Sequence, residues 1–398
     1  MRVTYGKSVH GNDEIKAVVK VLKDSTQMGK NVRLLENKIA KLFAKKYGVM
    51  FNSASSALMI AMEIINLPKG SEVITPALNF GTAVTSIIKA GLVPKFVDIN
   101  LKTFCTDADY IQKAITKKTK ALCIPNLIGN LPNWPAIKKI AQKNNLIIIE
   151  DSADTLGSKI DNNFSGKYAD ISVTSFYGSH IINGAGNGGM LCVDNKKYFE
   201  KALMLRSWGR SSSLFFDKSE KIENRFNIKL DGIDYDKKFI FEVQGYNLEP
   251  SEISAAFALV QLKKLKINIS QRHKNYLTHL NFFKKYENFF ILPEMIKSVR
   301  TAFLAFPIII KKNMYFNRKE FQIFLEKKNI QTRVIFTGNI LRQPGFSHYK
   351  KFYKKNSFPN ADIVMRGGVL LGMHQGLNKN NLEYVHKIIS KFLKSFNI

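Results

Sequence analysis

Apolar residues recur about every three or four positions in several segments, as in a helix that packs one face against a core. In residues 34–47, for example, Leu34, Leu35, Ile39, Leu42 and Phe43 follow this spacing. Residues 55–65 begin with small hydroxyl side chains, which suit a helix start. Helices are therefore predicted at residues 12–23, 34–47, 55–65, 251–265, 318–328 and 381–396.

Short apolar runs alternate with polar, helix-like segments over the first two thirds of the chain. They predict strands at residues 72–75, 94–97, 121–124, 146–149, 171–175 and 190–193, and a further strand-like run at 301–311. The runs 121–124 and 146–149 are continuously apolar, as expected for strands buried on both faces. The pattern predicts an α/β fold with a mostly parallel sheet between helices. In such sheets the functional residues gather in loops beyond the strand ends.

The regular alternation weakens after about residue 210. Residues 211–238 are polar and charged, which indicates a long excursion before the helix at 251–265. A chain of 398 residues is long enough for more than one core. We predict a large domain over residues 1–265, with an N-terminal helical segment, and a smaller C-terminal α+β domain over 266–398.

Composition narrows the classes of function. The chain has 61 Lys and Arg against 31 Asp and Glu, a net charge of +30, but these residues are spread along its whole length. Because no nucleic-acid motif accompanies them, we favour a solvated basic surface over a nucleic-acid or membrane partner. No apolar run approaches the roughly 18 residues of a membrane span. The N-terminus lacks a signal-like stretch, so we expect a cytoplasmic protein.

The cysteines argue against two kinds of site. There are three, they are widely spaced, and none forms a CxxC pair. This pattern speaks against a disulfide framework and a zinc site, and we predict no metal. All three lie in or beside apolar runs, where a cysteine behaves as a small core residue.

Two segments carry residues suited to binding an anion and a planar ring. Ala54 and Ser55 lie where a helix begins, and free N–H groups with the positive end of the helix dipole attract phosphate. Phe80 follows the strand at 72–75, where an aromatic side chain can lie against a ring. Taken alone, an ordinary helix cap and a core phenylalanine explain these residues better than a ligand site does.

Asp151 and Asp154 follow the buried strand at 146–149. A carboxylate in this position is costly unless it has a partner. A protonated pyridine nitrogen is one such partner, and a helix cap or a loop ion pair is the alternative. The glycine-rich run 184–189 superficially suggests a dinucleotide fingerprint, but it precedes a strand instead of opening a helix, so we reject that interpretation.

The run Ser175-Phe176-Tyr177-Gly178-Ser179-His180 resembles the cofactor-lysine segment of the DegT/DnrJ/EryC1/StrS sugar aminotransferases, which use pyridoxal phosphate. Histidine replaces the lysine, as in the nucleotide-sugar 3-dehydratase branch. The resemblance covers nearly the whole chain and implies pyridoxal phosphate fold type I. It rests on residues 52–58, 75–80, 124–132, 150–158, 175–189, 205–210, 245–248 and 338–344.

The resemblance also implies how the cofactor is bound. Ala54, Ser55 and Ser175 would hold its phosphate. Phe80 would stack on its ring, and Asp151 would pair with the ring nitrogen. The cofactor would be pyridoxal 5'-phosphate or its amine form, pyridoxamine 5'-phosphate.

Other residues are placed near the cofactor or substrate by the same resemblance. Asp154 would lie near the ring nitrogen. Asn247 would reach the cofactor phosphate of a neighbouring subunit, which implies a homodimer with shared active sites. Asn339 and Arg342 lie in a segment that would close over the sugar and bind substrate.

His180 is the predicted catalytic residue. An imidazole cannot form the covalent link that a lysine amine forms with an aldehyde, but it can act as a base and then as an acid. The resemblance implies removal of the C3 hydroxyl from a nucleotide-linked 4-keto-6-deoxyhexose. The product would be a 4-keto-3,6-dideoxyhexose, and glutamate would recharge the cofactor.

Three alternatives stay open. One dehydratase subtype works with a reductase and carries an iron–sulfur cluster, whose cysteines begin just after a Trp-Gly-Arg motif. Residues 211–213 are serines here, and a cluster normally needs four cysteines, so we expect no cluster. An aminotransferase would need another lysine, and none lies between Tyr168 and Asn195. A non-catalytic homologue that binds the cofactor or a nucleotide sugar is the third alternative.

Overall fold

The computed structural model describes residues 1–214, 222–354 and 356–396. Its strands are β1 Tyr47–Phe51, β2 Glu72–Pro76, β3 Val93–Val97, β4 Thr119–Pro125, β5 Ile147–Ser152, β6 Lys159–Ile160, β7 Asn163–Phe164, β8 Ile171–Ser175, β9 Gly189–Val193, β10 Lys229–Leu230, β11 Ile233–Asp234, β12 Phe290–Ile291, β13 Val299–Arg300, β14 Phe306–Ile310, β15 Thr332–Arg333 and β16 Gly368–Leu371. Its helices are α1 Asn12–Asp24, α2 Lys30–Leu42, α3 Ala54–Ile64, α4 Gly81–Lys89, α5 Ala108–Ala114, α6 Trp134–Lys143, α7 Lys196–Arg206, α8 Ile222–Phe226, α9 Glu252–Lys263, α10 Leu265–Phe283, α11 Arg318–Lys327, α12 Pro359–Gly367 and α13 Lys379–Lys394.

The larger sheet has seven strands in the order β1-β9-β8-β5-β4-β2-β3. The pairs from β3 to β8 are parallel, whereas β9 runs antiparallel to both β8 and β1. The predicted α/β class with a mostly parallel, mixed sheet is therefore confirmed. The parallel strands bring their carboxyl ends to one edge, which is where ligands bind in open sheets of this kind.

A second sheet of four antiparallel strands, in the order β12-β14-β16-β15, lies in the C-terminal part of the chain. Helices α11 and α13 contact each other there, and α12 contacts β14 and β16. This arrangement agrees with the predicted smaller α+β unit. Our division of the chain at residue 265 stays a prediction.

One helix boundary was predicted wrongly. The helix expected at 34–47 is α2, which begins at Lys30 and ends at Leu42. It begins early because the carboxylate of Glu252, from α9, accepts hydrogen bonds from the amides of Gly29 and Asn31 at 2.9 and 2.6 Å. It ends early because Ala44 adopts a left-handed backbone, with φ of 51°.

Two strand predictions also needed correction. The strand expected at 146–149 extends to Ser152, so Asp151 lies within β5 and not after it. The run 301–311 forms a strand only over Phe306–Ile310. Its first part is held by other contacts, since the Leu304 amide donates to the Ile128 carbonyl at 2.7 Å.

The predicted excursion at 211–238 is described in part, because residues 215–221 lie outside the described residues.

The buried His279 and the half-buried His386 connect α10 to α13, and this pair predicts that acid destabilises the fold. The rings of His279 and His386 lie 3.0 Å apart, nitrogen to nitrogen, and His279 also contacts the Gly372 carbonyl oxygen. Burial lowers the pKa of His279 to about 4 and that of His386 to about 3. Between about pH 4 and 6.5, both histidines therefore bind protons in the unfolded chain but stay largely unprotonated in the folded chain. The free energy of unfolding should fall as the pH drops below about 6.5, by up to ~1.4 kcal/mol per unit for one such histidine.

Urea unfolding at several pH values between 7.5 and 5 measures this slope. His386→Gln should flatten it, whereas His348→Gln, at an exposed ring, should leave it unchanged. An equal slope in wild type and His386→Gln would contradict the account.

No helix in the described ranges combines the length and the apolar character needed to cross a bilayer.

Candidate active site

A pocket of about 380 Å³ opens at the carboxyl edge of the seven-stranded sheet. Its walls come from segments that follow β1, β2, β4, β5 and β8. It collects seven of the residues that the sequence singled out: Ala54, Ser55, Phe80, Asp151, Asp154, Ser175 and His180.

One wall is the start of helix α3. Ser53 caps this helix, because its hydroxyl accepts the Ser56 amide at 3.1 Å. Ala54 and Ser55 occupy the first turn, where amide groups have no acceptor within the helix. These amides and the helix dipole make the wall attractive to an anion.

Glycines allow this helix start to lie close to the sheet. Gly188 pairs with Ser53 in an isolated bridge and has φ of 137°. A Cβ on Gly189 would lie 2.3 Å from the Ala54 nitrogen, so only glycine fits. Ser175, the last residue of β8, pairs with Gly189 across the sheet and thus faces the same corner. The glycine-rich run belongs to a β8–β9 hairpin and opens no helix.

Another part of the pocket lining carries two carboxyl groups. Asp151 accepts the Ala153 amide at 3.0 Å, and Asp154 accepts the Ile128 amide at 2.8 Å. Burial raises the pKa of Asp151 to about 6, and burial with the nearby Asp151 charge raises that of Asp154 to about 7. Burial is the main cause of both shifts, and a cation bound in the pocket would stabilise the ionised carboxylates.

Beneath Asp151 lies a buried polar network that the sequence reasoning missed. The Glu150 carboxylate accepts from the Asn126 amide at 2.7 Å and from the hydroxyls of Ser152 and Ser172 at 2.8 and 2.6 Å. Asn126 in turn accepts from the Trp134 indole at 2.9 Å. A fully bonded network of this kind fixes the strand ends. The sequence did contain a signal for this network, because Glu150 directly precedes Asp151, but we assigned Glu150 no role.

His180 lies in the hairpin between β8 and β9, half-buried, with its ring edge-on to Tyr177 at 5.7 Å between centroids. Its Nδ1 atom is buried and has no hydrogen-bond partner among the described residues. Burial and the positive charge of Arg272 lower the pKa of this imidazole to about 4, against an opposing interaction with the Ser175 backbone. The ring is therefore neutral at neutral pH and can accept a proton.

Tyr5 also lines the pocket, and no motif pointed to it. The N-terminal segment reaches the site because Val3 pairs with Ile330 and Gly6 packs against Ser179, where a Cβ would lie 2.7 Å from the serine Cβ. Burial raises the pKa of Tyr5 above its usual range. Only the fold brings this residue to the site, so a local pattern could not have found it.

Phe80 stands at the rim, and its side chain is 54% exposed. It meets Phe336 edge to face, with 6.2 Å between ring centroids. A large aromatic ring that is half-exposed at the mouth of a pocket is poised to cover a planar ligand. The alternative that Phe80 is a core residue is therefore wrong.

Three predicted residues lie away from this pocket. Asn247 is exposed and pairs with Ser207 in an isolated bridge. Asn339 and Arg342 line a separate cleft of about 310 Å³, where both bind the buried carboxylate of Asp362. The structure thus places these side chains in contact with Asp362, and their roles in binding remain predictions.

Within the described residues, no group of three or more His, Cys, Asp or Glu side chains is arranged to hold a metal ion.

The model of the DegT/DnrJ/EryC1/StrS aminotransferase family matches residues 9–390. The chain belongs to this family. Among its relatives, it is 32% identical to GDP-4-keto-6-deoxy-D-mannose 3-dehydratase from Escherichia coli O55:H7, over 94% of this chain and 96% of that protein. It is also 32% identical to the lipopolysaccharide biosynthesis protein RfbH of Salmonella typhimurium, over 91% and 84% of the two chains.

Solved structures agree with this assignment. A crystal structure of GDP-4-keto-6-deoxymannose-3-dehydratase with a trapped PLP-glutamate geminal diamine superposes with a TM-score of 0.86 at 28% identity. The match covers 97% of this chain and 99% of the other. The fold of this family member is therefore that of the pyridoxal phosphate-dependent aminotransferases, as predicted.

Proposed function

We propose that this family member removes the C3 hydroxyl from a nucleotide-linked 4-keto-6-deoxyhexose and releases a 4-keto-3,6-dideoxyhexose. The observation that carries the proposal is that His180 lines the pocket, and the motif resemblance implies that it stands where the family has its cofactor lysine. A side chain that cannot bind an aldehyde covalently, but can move a proton, suits elimination better than amino transfer. The relatives that are named 3-dehydratases also support elimination.

The pocket fits pyridoxamine phosphate as cofactor. The open amides of Ala54 and Ser55 suit its phosphate, and the half-exposed ring of Phe80 suits its pyridine face. Among the described residues no cation contributes to the pKa shifts of the two carboxyls, and a protonated ring nitrogen would supply one. When bound, this cofactor draws electrons from the carbon next to its amine and so activates the sugar for elimination.

The chain's own residues then have distinct tasks. Asp151 holds the positive charge on the ring nitrogen, and Asp154 lies beside it. His180 accepts a proton at its ring nitrogen and returns one to the departing hydroxyl oxygen. A group that is a weak base becomes a strong acid once protonated, so the same imidazole suits both transfers.

Glutamate is the proposed source of the cofactor's amine. A relative of known structure was trapped with PLP and glutamate, and no cysteine stands at residues 211–213 for an iron–sulfur cluster. Iron analysis of anaerobically purified protein tests this point. Stoichiometric iron would favour the reductase-coupled subtype instead.

The direct test supplies the protein with cofactor, glutamate and GDP-, CDP- or dTDP-linked 4-keto-6-deoxyhexoses. We expect ammonia, 2-oxoglutarate and a nucleotide sugar that lacks the C3 oxygen. A stable 4-amino sugar as the only product would identify an aminotransferase. A complete lack of turnover with every sugar would favour a non-catalytic homologue.

We also propose a homodimer that shares its active sites, with Asn247 reaching the partner's cofactor phosphate. Asn247 lies outside the pocket of its own chain, on a surface with several exposed aromatic side chains. These are Trp208, Phe239, Phe241 and Tyr246, exposed by 37%, 51%, 60% and 40%. A cluster of exposed apolar groups of this size is typical of a protein interface.

Asn339 and Arg342 stay proposed substrate residues, since their segment also supplies Phe336 to the pocket.

Mixing two inactive variants tests the shared site. His180→Asn and Asn247→Ala are each expected to be inactive, but mixed dimers would contain one site with both changes and one intact site. After subunit exchange, about a quarter of the wild-type activity should return. Mixing His180→Asn with Asp151→Asn is the control and should restore nothing, because both changes fall in one chain's half of the site. Equal recovery in the two mixtures would contradict the shared site.

A further inference from the structure

Arg272 is a fully buried arginine that the proposed reaction does not yet use. It lies on α10, and its exposed fraction is 0%. Burying a guanidinium is costly unless its donors are satisfied, and it keeps its charge in almost any protein setting. A charge placed at such cost beside the pocket calls for an explanation.

Its hydrogen bonds link three parts of the chain, and every acceptor found among the described residues is a neutral oxygen. One nitrogen donates to the carbonyls of Phe303 and Leu304 at 3.1 and 2.9 Å, and Nε donates to the Gln375 amide oxygen at 2.8 Å. The remaining nitrogen donates to the carbonyls of Ser179 and His180, both at 3.5 Å. The guanidinium is thus satisfied while its positive charge is left unneutralised.

The same helix face holds the hairpin at a second point. Asn268, one turn before Arg272, donates from its side-chain nitrogen to the Ile181 carbonyl at 3.3 Å. Residues four apart on a helix lie on one face, so α10 contacts three successive carbonyls of the hairpin. Asn268 and Arg272 both contact the hairpin, but only the Arg272 side chain carries a charge.

We propose that Arg272 is a positioning residue for His180: its guanidinium fixes the peptide groups on both sides of this residue and places a positive charge beside the imidazole, which opposes protonation of the ring. The inference rests on the proposed role of His180 as the base. The charge would also make the protonated imidazole a stronger acid toward the departing hydroxyl.

The surrounding charges agree with this role. The other titratable side chains on the pocket wall are Tyr5, Asp151, Asp154 and Tyr177. The Asp151 carboxyl, with a pKa of about 6, is largely ionised near neutral pH, yet burial and the Arg272 charge still set the direction of the His180 shift. His374 is affected in the same direction, since burial and the Arg272 charge lower its pKa to about 4.

The test measures the titration of His180 by NMR of ¹³C-labelled histidine in the protein without cofactor, with the signal assigned by its loss in His180→Asn. In wild type, the signal should not titrate between about pH 5 and 8. In Arg272→Gln, which loses the charge, the pKa should rise by about one unit or more. Asn268→Ala is the matched control, because it removes a hydrogen bond to the same hairpin without a change of charge, and its His180 should titrate as in wild type.

Arg272→Lys provides an independent check if the neutral variant does not fold. The charge is kept, so His180 should stay neutral, while amide hydrogen exchange at residues 179–181 should speed up because the forked contact is lost. An unchanged His180 titration in Arg272→Gln, or a raised pKa in Arg272→Lys, would overturn the proposal. Since this readout needs no turnover, it stays informative even if the enzyme dehydrates no sugar and the proposed function fails.

Discussion

His180→Asn is expected to lower the rate of C3 dehydration by about a thousandfold, the scale of a lost general base. Asparagine keeps a polar side chain in the hairpin but cannot exchange a proton near neutral pH. The binding of pyridoxal phosphate should change little, because the phosphate and ring contacts come from other residues. Single-turnover measurements with the cofactor in its amine form isolate this step from recharging by glutamate.

His180→Lys tests the same position by introducing an amine that can bind an aldehyde covalently. The lysine amine should form a covalent link with pyridoxal phosphate that borohydride makes permanent, and dehydration should be lost. His273→Asn, at an exposed ring on α10, is the control for a histidine change and should keep full activity. Undiminished dehydration in His180→Lys would place the base on another residue.

The second large effect is expected from Asp151→Asn. Removing one charge from a buried pair costs several kcal/mol, so we expect about a hundredfold loss in cofactor affinity, in kcat/KM or in both. The amide is nearly the same shape, which limits the change to charge. Absorbance titration with the cofactor measures the affinity, and Asp98→Asn serves as control because Asp98 is buried but caps α12 through the amides of Asn360 and Ala361.

The pH dependence of cofactor binding separates this effect from misfolding. The carboxyl of Asp151 has a pKa of about 6 in the protein, so protonation removes its charge as the pH falls through that value. Wild-type affinity should therefore drop below about pH 6, while Asp151→Asn should show a flatter profile. The same profile in both proteins would mean that Asp151 does not hold the ring nitrogen.

Local patterns were sufficient for the parts of the site that lie near strand ends. Asp151 lies near the end of β5, Ser175 ends β8, and Ala54 begins α3. Because parallel strands bring their carboxyl ends to one edge of the sheet, the sequence pattern was enough to place these residues together. The identity of His180 as an unusual residue came from its place in a family motif. These positions depend on neighbours within a few residues, which a sequence displays directly.

Other features depend on contacts between distant segments, and the sequence could not show them. Tyr5 reaches the pocket because Val3 pairs with Ile330 and Gly6 packs against Ser179. Arg272 contacts the His180 hairpin across 92 positions of sequence. The start of α2 is set by Glu252, which lies 221 positions from the Asn31 amide that it binds. In each case tertiary packing determines the role, and the local pattern is that of an ordinary strand or helix.

The mass of the nucleotide sugar formed from a 4-keto-6-deoxyhexose substrate, with cofactor and glutamate present, tests the central claim most directly. The account predicts a 4-keto product without the C3 oxygen, formed together with ammonia, and no such product from His180→Asn. A 4-amino sugar that retains its C3 hydroxyl would contradict it.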